Sequence, residues 1–285
     1  MDTLRHKEYF EGNNPISVLP RVPQPDYPEH NHDFHELVMV RSGCGLHYVD
    51  GQPYHVAKGS VFYLQAGQAH CFEQAEALCL TNVIFAPEQL QSAQALAYLP
   101  NAPARNALPL TVSPMALARC DQLFAAIRAE TAQPGRGSTA LLEALFTQLV
   151  ILLWREQSRA LDAADGDTRL AALIRHLDAH LDEEIDFAVL AEYYHISLRT
   201  LHRRMQDSTG LPPASYLNRS RLCAAMRLLS NSPASVTEIA FACGFNDSNY
   251  FSTRFHKEVG VSPAQFRKRC HAKAASQARD TTLCS

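Results

Sequence analysis

Residues 235–266 read SVTEIAFACGFNDSNYFSTRFHKEVGVSPAQF. The stretch predicts a short helix over 235–243, a tight turn, and a second helix over 247–258 opened by Asp247 at an N-cap position. Gly260 stops that helix, and Pro263 sits in the first turn of another over 263–269, where its missing N–H is tolerated. The same grammar occurs upstream. Leu190-Ala191 returns as Ile239-Ala240 and Ile196 as Phe245, each 49 residues on. Leu201 returns as Phe251, Arg204 as Arg254, Met205 as Phe255, Gly210 as Gly260, Pro213 as Pro263 and Tyr216 as Phe266, each 50 on. The offset changes in the loop before the second helix. The unit is therefore helix, turn, helix, glycine, and it occurs twice.

The two units are joined by a predicted helix over 213–230. At 1.5 Å per residue it is about 27 Å long. Successive major grooves on one face of duplex DNA lie about 34 Å apart, so such a rod could hold two reading helices about one turn apart. Helices over 168–182, 186–193 and 197–208, the last capped by Ser197, complete an all-helical C-terminal half. Charge follows the same division. Residues 168–285 hold 15 Lys+Arg and 11 Asp+Glu, whereas residues 1–167 hold 11 and 18, which together return the net −3. Within 197–279 there are 13 basic and 4 acidic residues. A basic segment on an otherwise acidic chain is the electrostatic footprint of nucleic-acid binding.

The N-terminal half reads differently. HELVMV, GLHYVD, PYHVA, SVFYL and LCLTNVIF, within residues 33–85, are short β-rich segments separated by turns. Asp50-Gly51 is a hairpin signal, because a type I′ turn needs positive φ at both central residues. Closely spaced short strands suggest a β-barrel or jelly roll. Residues 1–28 read as an arm in which Pro15, Pro20, Pro23, Pro25 and Pro28 forbid a regular helix. Two helices follow, over 114–129 and 138–157. ALLEALFTQLVILLW is apolar around most of its circumference, which suits a core, a dimer interface or both. SRALDAADGD, residues 158–167, reads as a linker.

With 285 residues, 46% apolar and 19% charged, the chain can build two cores, and disorder and a disulfide-stapled mini-protein are excluded. The eight cysteines form no CxxC pair, which favours free thiols in a reducing cytoplasm over a zinc ribbon. The N-terminus has no apolar signal core, and the longest apolar run, 149–154, is far below the roughly 20 residues of a membrane span, so no membrane partner is expected.

The stretch 235–266, within a match spanning about 171–269, resembles the signature of AraC/XylS-family transcription activators. PEHNHDFHELVMV, DGQPYHV, LCLTNVIF and SLRTLHRRM are similar to the branch of that family that activates L-rhamnose catabolic operons, and the sister rhamnose regulators are the nearest competitor. The resemblance implies an α+β chain. A cupin-like barrel with flanking helices, for effector binding and dimerisation, would occupy 29–157, and a double helix-turn-helix domain 168–270, with an arm over 1–28 and a tail over 271–285.

It also implies that helices 197–208 and 247–258 read DNA. Exposed candidates are Arg199, His202 and Arg203 on the first and Ser248, Asn249, Ser252, Thr253 and His256 on the second, with Leu201, Met205, Phe251 and Phe255 facing the core. Arginine suits guanine O6/N7 and asparagine adenine N6/N7. Arg219, Arg221, Arg254 and Lys257 are candidate phosphate contacts. Glu238 and Asp247 are candidates for touching the RNA polymerase σ subunit, with N-terminal helix capping as the alternative.

In the β half, His30, His32 and Glu36 fit the cupin spacing HxH-x3-E, and Gly59, Gly67 and His70 fit its second element. Gln65 and Gln74 stand where that pattern usually has Pro and Asn. His30, His32, His35, Glu36 and His70 are candidate effector contacts. His30, His32, Glu36 and His70 are also competent ligands for a divalent transition metal. A sugar sensor, a sensor with bound metal and a metal-dependent cupin enzyme all remain open on these residues. The resemblance favours a non-enzymatic homodimeric regulator in the cytoplasm, at the nucleoid, with a monosaccharide effector, L-rhamnose.

Overall fold

A computed structural model describes residues 2–10, 14–99, 110–161 and 166–271. The N-terminal half contains β1 (Asp2–Leu4), α1 (His6–Tyr9), β2 (Ile16–Arg21), β3 (Tyr27–His32), β4 (His35–Val49), β5 (Gln52–Ala57), β6 (Ser60–Leu64), β7 (His70–Phe85) and β8 (Leu110–Thr111). These strands form one mixed sheet in the order β1-β3-β7-β4-β6-β8, with β2 also on β7 and β5 also on β4. Strands β4 and β7 pair antiparallel from His35↔Phe85 to Val49↔His70, with register shifts between Val40 and Leu46. At those shifts the pair departs from regular pleating. The early half of β4 then pairs with β6 and the late half with β5. Asp50 and Gly51 both have positive φ, as the predicted hairpin requires.

The sheet is covered on both faces. One face buries Val38, Val40, Phe62, Leu64, Phe72 and Leu80 in the barrel interior. Leu37, Met39, Val83 and Phe85 point the other way, against α2 (Pro114–Ala132) and α3 (Ser138–Leu161). Over Ser138–Gln157, α3 is apolar enough by length and composition to cross a membrane, which the longest-run criterion missed. Its Leu142, Phe146, Leu149, Val150 and Leu153 lie in this core.

Two boundaries need correction. Residues 1–28 are not a free arm: Ile16–Arg21 pair with β7 from Ile16↔Phe85 to Arg21↔Leu80, and β1 pairs with β3. Prolines exclude a long helix but not a strand at a sheet edge, and Ile16 and Val18 supply the apolar face that anchors this one. Nor is 158–167 an irregular linker throughout. Helix α3 continues to Leu161 and α4 (Gly166–Ala179) starts at Gly166, because Arg, Ala and Leu favour helix despite their polar neighbours. Residues 162–165 and nearly all of the tail, including Cys284, lie outside the described residues.

The helical half continues with α5 (Phe187–Tyr193), α6 (Leu198–Thr209), α7 (Pro213–Asn231), α8 (Val236–Ala242), α9 (Ser248–Val259) and α10, residues 263–271. Leu173, Leu177, Leu190, Leu201 and Met205 form the first core, and Met226, Leu229, Ile239, Phe251, Phe255 and Phe266 the second. Asp178 of α4 ties the first core to α7, accepting from Tyr216 Oη at 2.9 Å and Ser220 Oγ at 3.0 Å. Burial pushes its carboxyl up to about 6, against the partial offset of those two hydroxyls.

A carboxyl whose folded pKa is raised keeps its proton longer in the folded state, so stability falls as pH rises from about 4 to about 6. The difference above that window is up to about 3 kcal/mol. Asp178→Asn should therefore raise the thermal midpoint at pH 7.5 and flatten its dependence between pH 4 and 6. A lowered midpoint at pH 7.5 would show that the ionised group is net stabilising.

Candidate functional site

The two helix-turn-helix units are superposable in their local chemistry. In the first, the N–H of His195 donates to Glu192 and that of Ile196 to Ala191. In the second, 49 residues on, Gly244 donates to Phe241 and Phe245 to Ala240. Both turns need a left-handed residue: His195 has φ 51° and Gly244 φ 77°. Ser197 caps α6 through Thr200 N, and Asp247 caps α9 through Tyr250 N at 2.6 Å. Gly260 closes α9 in the left-handed conformation, as Gly210 closes α6.

These caps and turns fix which side of each second helix faces out. Leu201 and Met205 are fully buried, and so are Phe251 and Phe255. Arg199, His202 and Arg203 are exposed on α6, as are Asn249, Thr253, His256 and Lys257 on α9. Ser248 and Ser252 are half-buried, and the Ser252 hydroxyl is occupied by the Ser248 carbonyl at 2.8 Å.

Three of the four candidate phosphate contacts are engaged elsewhere. Arg219 turns toward the barrel, with Nη1 3.1 Å from His55 Nε2 and Nη2 3.3 Å from Glu76. Arg221 donates to the carbonyls of Leu181 and Glu183. Arg254 pairs with Glu258 at 3.1 Å. Sequence position alone did not reveal this, because a long cation on a helix can cover packed surface as readily as face solvent. Glu238 and Asp247 are both exposed and both cap helices. Glu238 forms a capping box with Ser235, whose backbone N–H holds its carboxyl below the usual range.

In the barrel, the ligand atoms of His32, Glu36 and His70 all lie within 4.8 Å of one another. Strand alternation sends Glu36 inward with Val38, while His32 arrives from β3 and His70 from β7. Glu36 Oε2 is 3.3 Å from His32 Nε2 and 3.5 Å from His70 Nε2, yet none of these three buried atoms has an aligned hydrogen bond. Burial pushes the Glu36 carboxyl up, but the approaching imidazoles outweigh it and hold the group below its ordinary value. Burial also lowers the His70 pKa well below that of a free imidazole.

His30 stands beside the cluster, its ring centre 4.1 Å from that of His70 and its Nδ1 on the Pro28 carbonyl. His35 does not join it. One residue from Glu36, it lies on the opposite face, with Nδ1 2.7 Å from the Tyr63 hydroxyl. Two inward residues escaped the motif. His47 Nε2 is 3.1 Å from His70 Nδ1, and burial drives the His47 pKa down to about 3. Asn82 is buried with an unpartnered Oδ1, two residues along β7 from Leu80 of the interior. A polar residue at an inward position of an otherwise apolar strand was the signal available for both.

A model of the AraC-like ligand binding domain matches residues 19–150, and a helix-turn-helix domain model matches residues 190–269. The chain is similar to the HTH-type transcriptional activator RhaS of Shigella boydii serotype 18, 40% identical over 272 residues, covering 94% of this chain and 98% of that one. RhaS of Escherichia coli strain SE11 is also 40% identical, with the same coverage. Among solved structures, the DNA-binding domain of AdpA in complex with a target DNA is 35% identical, covering 37% of this chain and 95% of that one, with a TM-score of 0.36.

The paired turns make a two-sided prediction. A Cβ at Gly244 would meet the Leu181 carbonyl and the Arg221 guanidinium, so Gly244→Ala should cost more than about 2 kcal/mol in thermal or urea unfolding. His195→Gly relieves a left-handed side chain and should stabilise by up to about 1 kcal/mol. Equal effects at both sites would contradict the equivalence of the turns.

Proposed function

The chain belongs to the AraC family of transcription activators, and on that premise we propose that it is a sugar-responsive activator whose two helix-turn-helix units grip promoter DNA. The observation that carries this reading is the doubled unit itself. Two second helices are anchored by buried pairs, Leu201 with Met205 and Phe251 with Phe255, and present polar side chains outward. In this reading Arg199, His202 and Arg203 meet base edges in one groove. Asn249 and Thr253 meet those in the next, and His256 and Lys257 approach phosphates. Helix α7, 19 residues long, is the spacer. Glu238 and Asp247 lie at the exposed starts of α8 and α9, where a σ subunit could reach them without displacing the caps.

The effector is L-rhamnose, taken from the similarity to RhaS, and the inward polar groups of the barrel are its site. The cupin-like donor set also implies a divalent metal, and these residues fit one. His32 Nδ1 lies 2.6 Å from the Phe34 carbonyl, which can only accept, so the proton of a neutral ring sits on Nδ1. While that ring is neutral its Nε2 lone pair is the free donor atom facing Glu36 Oε2, and His32, Glu36 and His70 would together hold the ion. His70 is oriented by His47 in the manner of an outer-shell partner. Such an ion, when bound, supplies a Lewis-acidic anchor for neighbouring hydroxyls. The chain's own residues orient the imidazoles and exclude water. We read the set as the ligand site of a regulator rather than a catalytic centre. Leu141 and Trp154 on the outer side of α3, with Met115 on α2, offer apolar surface for a homodimer aligned on repeated half-sites.

Footprinting on rhamnose-type promoter DNA with and without L-rhamnose tests the reading, and protection indifferent to the sugar argues against it. Arg203→Ala should weaken specific binding by about 1–3 kcal/mol and relax one base position. Lys257→Ala should weaken all sequences alike and lower the salt slope by about one. Metal content of the purified chain should fall on Glu36→Gln. Equal content in both proteins would remove the ion from the scheme.

A further inference from the structure

Helix α7 is not only a spacer: one of its sides is seated on the outside of the barrel. Leu46, Tyr48 and Cys71 of the barrel share an apolar cluster with Leu222, Cys223, Ala225, Met226 and Leu229 of α7. The Tyr48 hydroxyl donates to Met226 Sδ at 3.8 Å. The seam is edged by polar contacts, including Arg227 Nη1 to the Pro53 carbonyl at 3.4 Å and Asn231 Nδ2 to Gln52 Oε1 at 3.1 Å.

The residues beneath this seam are next-door neighbours of the candidate pocket. On β4, His47 points inward to His70, while Leu46 and Tyr48 on either side point outward to α7. On β7, His70 points inward and Cys71 outward. A backbone shift that moves His47 or His70 must therefore move the seam, because adjacent residues of a strand share one rigid backbone and project to opposite faces. The far side of the seam reaches the second reading helix. Arg219 of α7 contacts His55 and Glu76 of the barrel, and its Nε lies 4.0 Å from Glu258 of α9. Glu258 in turn holds Arg254 on the same helix as Asn249 and Thr253. Burial keeps His55 neutral, with its pKa driven down to about 3, so it accepts from the guanidinium rather than repelling it.

We propose that the seam between α7 and β4, β5 and β7 is the relay from pocket to DNA, and that Arg219 is the positioning residue that passes it to α9. The proposal rests on the sensing role assigned to the barrel. Any ligand that draws on His47 or His70 displaces Leu46, Tyr48 and Cys71 together, and the displacement reaches Glu258 through Arg219. A ligand shifts the equilibrium only by its differential affinity for the two placements of the seam.

The test is a cycle of substitutions in the full-length chain, read as the dissociation constant for labelled promoter duplex. His47→Gln perturbs the relay from inside the pocket, Tyr48→Phe removes only the seam hydroxyl, and each is combined with Arg219→Gln. Either first substitution alone should change the dissociation constant at least threefold, and that change should vanish when Arg219→Gln is present. Independent sites multiply to within about twofold, so effects that simply multiply overturn the proposal. So does an unchanged dissociation constant in both His47→Gln and Tyr48→Phe. So does a fall of about one in the salt slope on Arg219→Gln, which would make Arg219 a phosphate contact. L-rhamnose is then added to the unsubstituted chain. Indifference to the sugar alongside a non-multiplicative cycle refutes the choice of effector and upholds the relay.

Discussion

Side chains alternate across a strand, and in β4 and β7 both faces are covered. Leu37 and Met39 face the helical pair α2 and α3, Val38 and Val40 face the barrel interior, and further along Leu46 and Tyr48 face α7. A one-residue slip in this pairing would exchange every one of those sets. It would carry Glu36 out to the place of His35 and remove His47 from His70. The polar pocket, the helical cover and the seat for the helical half therefore all depend on one strand pairing, His35↔Phe85 through Val49↔His70 with its register shifts between Val40 and Leu46.

The helical half solves a different problem with the same economy. Each reading helix is short, 12 residues in both α6 and α9, and would be marginal alone. Each is held by a side-chain N-cap, a left-handed glycine stop and two core residues one helical turn apart. The two units then diverge where divergence carries information. Helix α6 offers two exposed arginines and a histidine, which suits guanine-rich contacts, whereas α9 offers an amide, a hydroxyl, an imidazole and a C-terminal lysine. The favourable end for cations is the last turn of a helix, so Lys257 also complements the dipole of α9.

Much of this was legible in the residues. The repeat from Leu190 to Phe266 located both units, their caps and their buried pairs, because helix periodicity, proline and glycine act locally. The HxH-x3-E spacing located His32 and Glu36 for the same reason. What escaped depended on contacts distant in sequence. Ile16–Arg21 became a strand only because Leu80–Phe85 had an open edge. His47 became part of the pocket because β4 continues past Gly43 and Gly45 to lie beside His70. His35 was separated from Glu36 by pleat geometry that a list of spacings in a motif does not express.

The arginines carry the sharpest lesson about charge. Of the 13 basic residues in 197–279, Arg219 and Arg254 are neutralised by Glu76 and Glu258, and Arg221, Arg227 and Arg267 donate to backbone carbonyls. A cation bound to carbonyls keeps its charge and still adds to the long-range field that draws a polyanion in. Counterion release, by contrast, follows from direct contact with a phosphate. Approach and contact thus draw on different properties of a cation. Among the described residues of the segment, Arg199, Arg203, Lys257, Lys268 and Arg269 are the exposed cations. Net charge located the basic half of the molecule, whereas the partners of its individual arginines follow from packing, because the helix that joins the two units is also the one that the barrel holds.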